Sequence, residues 1–153
     1  KSIETQMVDL NTSWNERNSK LVNFSKKEIL IIASILEKES CANEREKISG
    51  VIYNRLKNNM LLQMDSTTIY GLKDFNGNLK KKDLRDSSLY NTYMHKGLPP
   101  GPISNPSKNS IFAATQPEEH DYLYFVAKGK CSHEFSTNYD DHQKAVKKYQ
   151  LRQ

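Results

Sequence analysis

Two carboxylates end the most apolar stretch of the sequence. Glu37 and Glu39 flank a lysine where the run ILIIASILEKES becomes polar, and carboxyl groups are common general acids and bases in enzymes. Residues two apart on a helix point about 200° apart, so at most one of the two can face a shared cleft. The partial negative charge at a helix C-terminus also favours a protonated carboxyl with a raised pKa. One glutamate is therefore a candidate proton donor; the alternative is an ordinary solvated helix end.

A helix with a buried face must position these carboxylates. Ser25 and Glu28 have the spacing of a capping box, in which each side chain hydrogen-bonds the backbone of the other residue. Behind them, apolar residues recur at helical spacing, at Ile29, Ile32, Ala33, Ile35 and Leu36. The pattern predicts a buried helix between Phe24 and Ser40, around which the rest of the chain is organised.

Two further helices flank this central one in the sequence. Residues 1–23 carry apolar side chains three or four apart, which predicts an amphipathic leading helix, at Ile3, Met7, Leu10 and Trp14. Asn43 and Glu46 repeat the capping-box spacing before a third helix, which we expect to end at Asn58–Asn59. On that helix Arg55 either holds a carboxylate within the fold or faces water, and we favour the structural ion pair.

The segment 60–71, MLLQMDSTTIYG, places polar side chains beside apolar ones. Donors and acceptors of the kind that sugar hydroxyls need are supplied by Gln63, Asp65, Thr67 and Tyr70. Tyr70 also offers an apolar ring face. Asp65 is at the same time a candidate N-cap for one helical turn that ends at Gly71, and capping alone is the competing interpretation of this residue.

A proline-rich loop follows between Tyr90 and Pro106, where YNTYMHKGLPPGPISNP contains four prolines and two glycines. Prolines restrict the backbone and remove amide donors, so no regular element fits and the loop is preorganised. Such a loop can present Tyr90, Asn91 and Tyr93 along a groove that suits carbohydrate. The alternative is a structural Ω-type loop without a binding role.

The last third of the chain predicts a helix, a hairpin and a terminal helix. Asn105 and Pro106 suit the N-cap and first position of a helix. Tyr122–Ala127 and His133–Thr137 suit two paired strands, and a last amphipathic helix starts near Asn138. These elements predict an α+β fold with helices packed around a small antiparallel β-sheet.

Composition narrows the functional classes. The 153 residues suit one domain with a real core, and we expect a soluble piece of a longer protein because no signal sequence or long apolar span is visible. The net charge of +5 is weak support for an anionic partner, since the basic residues are interspersed. Cys41 and Cys131 match no metal or redox spacing, which leaves buried thiols or one disulfide. The sequence has no nucleotide-binding, metalloprotease or serine-hydrolase motif, and its aromatic residues are not interleaved with basic ones as nucleic-acid binding needs.

Six motifs in sequence order resemble those of the YceG-like family. They are ASILEKES, VIYNRL, LLQMDSTTIYG, YNTYMHKGLPPGPISNP, DYLYFVAKG and HEFS, and the similarity extends from about Ser25 to His142. The resemblance divides the chain into a helical lead-in, residues 1–24, and a single catalytic domain, residues 25–153. The membrane helix and LysM-like module that precede this domain in the family lie outside the sequence.

The resemblance implies an endolytic lytic transglycosylase. Such an enzyme cuts the β-1,4 bond between N-acetylmuramic acid and N-acetylglucosamine in peptidoglycan and leaves a 1,6-anhydromuramyl end. It implies Glu39 as the single general acid and base, supported by Glu37 and Arg55, with no cofactor or metal; burial against Ile35 and Leu36 would raise the pKa of Glu39. The implied substrate contacts are Gln63, Asp65, Tyr70, Tyr90, Asn91, Tyr93 and His133.

The resemblance also implies a full-length protein tethered to the cytoplasmic membrane, with this domain at the periplasmic face, glycan strands as its partner and peptidoglycan synthases as neighbours. Three other functions stay open: a non-catalytic peptidoglycan-binding module, a hydrolysing muramidase and a basic nucleic-acid binder. A binding module would function without Glu39, and a muramidase would add water to its product. A nucleic-acid binder would show a steep salt dependence.

Overall fold

The computed structural model describes residues 3–21, 23–41 and 43–150. Within these ranges the chain forms six α-helices and one two-stranded antiparallel sheet, with 3₁₀ turns at Ser19–Leu21 and Asp83–Arg85. The elements are α1 (Ile3–Asn15), α2 (Lys26–Glu39), α3 (Arg45–Lys57), α4 (Asp65–Gly71), α5 (Lys108–Thr115), β1 (Tyr124–Gly129), β2 (Ser132–Ser136) and α6 (Tyr139–Tyr149). This arrangement confirms the predicted α+β class. None of the helices in the described ranges is long and apolar enough to cross a membrane.

The helix α2 lies at the centre of the core, as its sequence predicts. The capping box is formed, because the Glu28 amide donates to Ser25 Oγ (3.1 Å) and the Ser25 amide donates to the Glu28 carboxylate (2.9 Å). All of the apolar residues predicted to face the core are fully buried, namely Ile29, Ile32, Ala33, Ile35 and Leu36. The helices α1, α3, α4 and α5 pack against α2, which holds its C-terminal end in a fixed position.

The predicted hairpin forms from β1 and β2. His133 on β2 pairs with Ala127 on β1, and the turn between the strands uses left-handed backbone at Lys130 and Cys131, with φ values of 50° and 59°. The helix α6 starts after the N-cap Asn138, as predicted, and packs against both strands. The hairpin therefore carries His133 at a defined register beside α6.

Three predicted helix starts differ from the structure. The helix α3 begins after Glu44 instead of Asn43, and α5 begins after Ser107 instead of Asn105. Asp65 is the first residue of α4 and not its N-cap. The side chains of Glu44 and Asp65 are engaged by distant residues, as described below, and these tertiary contacts take the place of local caps.

The proline-rich segment forms no helix or strand between Tyr90 and Pro106, as predicted. It runs beside α2 and is attached to it at Ser34: the amide of Ile103 donates to Ser34 Oγ (3.0 Å), and the hydroxyl of Ser104 donates to the Ser34 carbonyl (2.8 Å). These bonds fix the loop against the central helix and set the position from which α5 begins.

Candidate active site

Glu39, the last residue of α2, lies in a cleft of about 390 Å³. The walls of the cleft come from the ends of α2 and α3, the start of α4, the hairpin and α6. The predicted site residues that line it are Glu39, Arg55, Gln63, Asp65, Tyr93 and His133. Residues from distant parts of the sequence therefore converge around one carboxyl group.

The pKa of Glu39 is raised above its ordinary value. Burial is the main cause, because the charged form loses its hydration, and the negative charge of Asp65 adds to the effect. Hydrogen bonding from Ser66 and the electrostatic influence of His133 act in the opposite direction without reversing it. The Ser66 amide nitrogen is 3.4 Å from Glu39 Oε2, which is a long hydrogen bond. A glutamate in this environment keeps its proton to higher pH and can act as a general acid.

Glu37 contacts a different element, as its two-residue offset from Glu39 requires. Its carboxylate accepts hydrogen bonds from the Ser107 amide (2.7 Å) and the Ser110 hydroxyl (2.8 Å) at the start of α5. Burial acts to raise the pKa of Glu37, but these hydrogen bonds and the charge of Arg45 outweigh it and lower the pKa below its ordinary value. Glu37 is therefore an anion that joins α5 to α2, and the two glutamates have pKa values shifted in opposite directions.

We expect Glu37→Gln to lower the free energy of unfolding at neutral pH by about 1–2 kcal/mol, the usual effect of losing a charged hydrogen-bond acceptor at a helix start. The folded-state pKa of Glu37 lies below its ordinary value of 4.5, so its stabilisation is present above that value and is lost as the pH falls through the folded-state pKa. Urea unfolding of both proteins at neutral and at strongly acidic pH measures the effect. The difference in free energy of unfolding between wild type and Glu37→Gln should be smaller at acidic pH. An equal difference at both pH values would contradict this role.

His133 is held at the cleft by a carboxylate that the sequence analysis did not identify. Glu44, which precedes α3, accepts hydrogen bonds from His133 Nδ1 (2.8 Å) and from the His133 amide (3.2 Å). The two side chains are only 12% and 18% exposed. The pair joins the α2–α3 connection to β2, and the large separation of its members in the sequence leaves no local pattern from which it could be found.

A disulfide between Cys41 and Cys131 joins the same two segments, with the Cα atoms 5.6 Å apart. It excludes the alternative of two buried thiols. Cys41 follows Glu39 by two residues, and Cys131 precedes His133 by two. The disulfide and the Glu44–His133 pair therefore hold the two sides of the cleft together.

Gln63, Asp65 and Tyr93 provide polar groups on another wall of the cleft. Gln63 has a left-handed backbone (φ 51°), a conformation that costs about 1–3 kcal/mol outside glycine and is concentrated at functional sites. Its amide donates to the Thr92 carbonyl (3.2 Å), while its side chain is exposed. Asp65 accepts a hydrogen bond from the Tyr93 hydroxyl (2.5 Å), and burial together with this bond raises the pKa of Tyr93. Asp65 and Tyr93 thus form a neighbouring pair of hydrogen-bonding groups.

Arg55 does not form the predicted ion pair in the described part of the chain. Its Nε donates to the Leu123 carbonyl (2.7 Å) and its Nη1 to the Leu61 carbonyl (2.6 Å). The guanidinium carbon lies 4.9 Å from the centre of the Tyr124 ring, and the residue is 6% exposed. Backbone carbonyls of two connecting segments take the place of a carboxylate, so Arg55 supports the cleft by joining α3 to the segments that enter β1 and α4.

Tyr70 and Tyr90 lie outside this cleft. Their rings stack on each other with centroids 4.8 Å apart. Tyr70 is half exposed and lines a separate depression beside Ile103 and Ser104 in the proline-rich segment. The structure therefore places these two predicted substrate contacts together, but not around Glu39.

Asn91 is fully buried. Its carboxamide oxygen accepts from the Thr68 hydroxyl (3.1 Å), and its nitrogen donates to the carbonyls of Leu84 (3.1 Å) and Asp86 (2.8 Å). In this structure Asn91 has no exposed surface that a substrate could touch, and its hydrogen bonds hold the start of the proline-rich segment to α4.

The cleft residues outside the predicted set include Tyr124, Tyr139 and His142. The Tyr124 ring stacks on His142 with centroids 4.9 Å apart. The half-exposed Tyr139 also lies against Tyr124, with centroids 6.0 Å apart. A signal was present in the sequence, since Tyr139 and His142 are three residues apart and share one face of the predicted last helix. The sequence does not indicate which face of that helix packs beside the cleft.

Comparison with known proteins places this architecture in a family. The sequence matches the model of the YceG-like family over residues 1–148. It is 43% identical over 122 residues to the endolytic murein transglycosylase of Bacillus subtilis (strain 168), covering 79% of this chain and 34% of that protein. It is 35% identical over 148 residues to the endolytic murein transglycosylase of Streptococcus pneumoniae (strain ATCC BAA-255 / R6), covering 91% of this chain and 26% of that protein.

A solved structure gives the same result at the level of the fold. The crystal structure of a YceG-like protein from Listeria monocytogenes has a TM-score of 0.79 to this chain at 40% sequence identity, over 90% of this chain and 44% of that one. The chain spans about a third or less of the length of the two curated relatives. The family match over nearly the whole chain, together with these relatives, shows that the chain belongs to the YceG-like family.

Proposed function

We propose that this chain is the catalytic domain of a lytic transglycosylase that acts on peptidoglycan. It cleaves the β-1,4 bond between N-acetylmuramic acid and N-acetylglucosamine within glycan strands and leaves 1,6-anhydromuramyl ends. The names of the curated relatives support this class of reaction.

The observation that carries the proposal is the environment of Glu39. It is a carboxyl with a raised pKa at the end of a buried helix, in a cleft lined by polar and aromatic side chains. Hydroxyl, carboxamide and ring groups of this kind bind sugars through hydrogen bonds and stacking. The other cleft carboxylate, Asp65, accepts a hydrogen bond from Tyr93. The arrangement favours a reaction that needs one proton-transferring carboxyl.

A single carboxyl group suffices because the substrate supplies the nucleophile. Glu39 donates its proton to the glycosidic oxygen as the bond from that oxygen to C1 of the muramic acid breaks. The ionised Glu39 then accepts the proton of the muramyl 6-hydroxyl as its oxygen bonds to C1 and closes the anhydro ring. Glu39 is protonated again at the end, and no water is consumed.

A hydrolysing muramidase is the second candidate, and Asp65 is the observation that favours it. Hydrolysing glycosidases use two carboxyl groups, and Asp65 lies close enough to Glu39 to raise its pKa. Under the muramidase hypothesis, Asp65 would activate a water molecule or attack C1. A binding module without catalysis is a further alternative, which would make no use of the proton on Glu39.

The cellular setting follows the same proposal. The Cys41–Cys131 disulfide supports an oxidising compartment outside the cytoplasm, where peptidoglycan is found. We propose that the full-length protein is tethered to the cytoplasmic membrane with this domain on the outer, periplasmic side of that membrane. There it meets glycan strands, with peptidoglycan synthases as neighbours.

The experiment that tests the reaction is digestion of purified peptidoglycan sacculi by the domain in water labelled with heavy oxygen, followed by mass spectrometry of the released fragments. Transglycosylation gives anhydro ends without the label, because water takes no part. Hydrolysis gives reducing ends that each carry one labelled oxygen. Labelled reducing ends would replace the proposal with the muramidase, and a complete lack of fragments would favour the binding module.

A further inference from the structure

We propose that Glu44 is a positioning residue for this reaction. It orients His133 so that the second ring nitrogen, Nε2, is available in the cleft as a proton acceptor beside Glu39. The inference rests on the proposed function and deepens it, since it assigns a second proton-accepting group to the same site.

The hydrogen bonds define the orientation of the imidazole. Glu44 receives one bond from His133 Nδ1 (2.8 Å) and one from the His133 backbone amide (3.2 Å), so a single carboxylate holds both the ring and its strand. A carboxylate only accepts hydrogen bonds, and the proton of the neutral ring must therefore reside on Nδ1. This leaves the lone pair on Nε2, in a residue that lines the cleft.

Neighbouring groups restrict the movement of the ring. Phe125 packs against His133 edge to face, with ring centroids 5.2 Å apart. The cross-strand partner of His133 is Ala127, whose small side chain leaves room for the cleft. Two residues before His133, the Cys41–Cys131 disulfide attaches the hairpin to the segment that carries Glu39 and Glu44. His133 is thereby held at one place relative to Glu39.

A nucleophile or base that is oriented by a third group is a common catalytic arrangement, and here the base is His133 and the orienting group is Glu44. When the muramyl 6-hydroxyl oxygen bonds to C1, its proton reaches the ionised Glu39 by way of His133 Nε2, which accepts it first. The imidazolium that forms is stabilised by the Glu44 carboxylate at Nδ1 and lies beside the newly ionised Glu39. Transfer of that proton from His133 to Glu39 returns both groups to their initial states.

The test is a double-mutant cycle on product release from sacculi, with Glu44→Gln, His133→Gln and the double variant. We expect Glu44→Gln to lower kcat by about 10- to 100-fold, the effect of removing a group that orients a reacting residue, with KM changed by no more than about twofold. The double variant should be no slower than His133→Gln alone, because Glu44 acts through His133.

Glu46→Gln is the matched control. It removes one negative charge from the first turn of α3, two residues after Glu44, and keeps the Glu44 carboxylate that bonds His133. We expect wild-type kcat. Equal losses in Glu44→Gln and Glu46→Gln, or losses that multiply in the double variant, would overturn the inference. Wild-type activity in Glu44→Gln would also overturn it and leave the proposed function intact, whereas a wild-type chain that releases no anhydro product would contradict the proposed function itself.

A second measurement does not depend on catalysis. Nitrogen NMR of the histidine side chains reports the tautomer of His133, which we expect to carry its proton on Nδ1 in the wild-type chain and to become a mixture in Glu44→Gln. A wild-type His133 with its proton on Nε2 would overturn the inference, whatever the activity of the variants.

Discussion

Replacing Glu39 with glutamine should reduce the release of anhydro-ended fragments from sacculi by at least about 10³-fold. Glutamine has nearly the same shape but cannot donate the proton that the leaving oxygen needs, and general acid–base catalysis contributes about 10²- to 10⁴-fold. Initial rates of anhydro product, measured by liquid chromatography and mass spectrometry, give the ratio. The matched control is Glu37→Gln, which removes the neighbouring carboxylate and should keep activity within about tenfold of wild type.

The pH dependence of stability separates this loss of activity from misfolding. The pKa of Glu39 is raised on folding, so its contribution to stability is fully present below the ordinary value of 4.5 and is lost as the pH rises through the higher folded-state pKa. At neutral pH the glutamine variant, which has no charge to bury, should therefore unfold at the same or a higher urea concentration than wild type. A variant that is both inactive and less stable would point to a structural role of Glu39, and one that keeps its activity would remove Glu39 from the mechanism.

Loss of the disulfide should have the largest effect on stability. Cys41 and Cys131 are 90 residues apart in the sequence, and closing a loop of this length restricts the unfolded chain enough to stabilise the fold by about 3–5 kcal/mol. We expect Cys41→Ser combined with Cys131→Ser, or treatment of the wild-type chain with a reductant, to lower the free energy of unfolding by this amount. Urea unfolding followed by circular dichroism measures it.

The two ways of removing the disulfide provide the control for each other. Reductant should destabilise the wild-type chain and leave the double serine variant unchanged, because both cysteines of the chain are in the bond. A loss below about 1 kcal/mol in both experiments would mean that the bond constrains the unfolded chain far less than its span implies.

The parts of the fold that the sequence predicted are those defined by local patterns. The capping box at Ser25 and the apolar spacing behind it predict α2 within two residues of its observed bounds. The hairpin follows from two β-rich segments, and Asn138 marks the start of α6. In α1 the pattern predicts the helix but not the burial of each residue, since Leu10 is buried while Ile3 is 80% exposed.

The parts that the sequence did not predict depend on contacts between distant segments. Glu44 stands in the sequence where a helix is predicted to start, yet its carboxylate accepts a hydrogen bond from His133 on the hairpin. Asp65 is a residue type that commonly caps a helix N-terminus, yet its carboxylate accepts a hydrogen bond from the Tyr93 hydroxyl. Arg55 binds backbone carbonyls whose positions are set only when α3 packs against the chain that enters β1. In each case the local sequence pattern suggests one role, but a contact with a residue distant in the sequence determines the role in the folded chain.

The Cys41–Cys131 bond also shortens the covalent path across the active site. Along the backbone Glu39 and His133 are far apart, but through the disulfide the path crosses only Ser40, Cys41, Cys131 and Ser132. The acid and the histidine therefore remain neighbours even when every helix has unfolded, at a separation typical of a tight loop. In the oxidised chain, bringing these two groups together is a short-range event with a small entropy cost, and the reduced chain must instead close a loop that spans most of the domain.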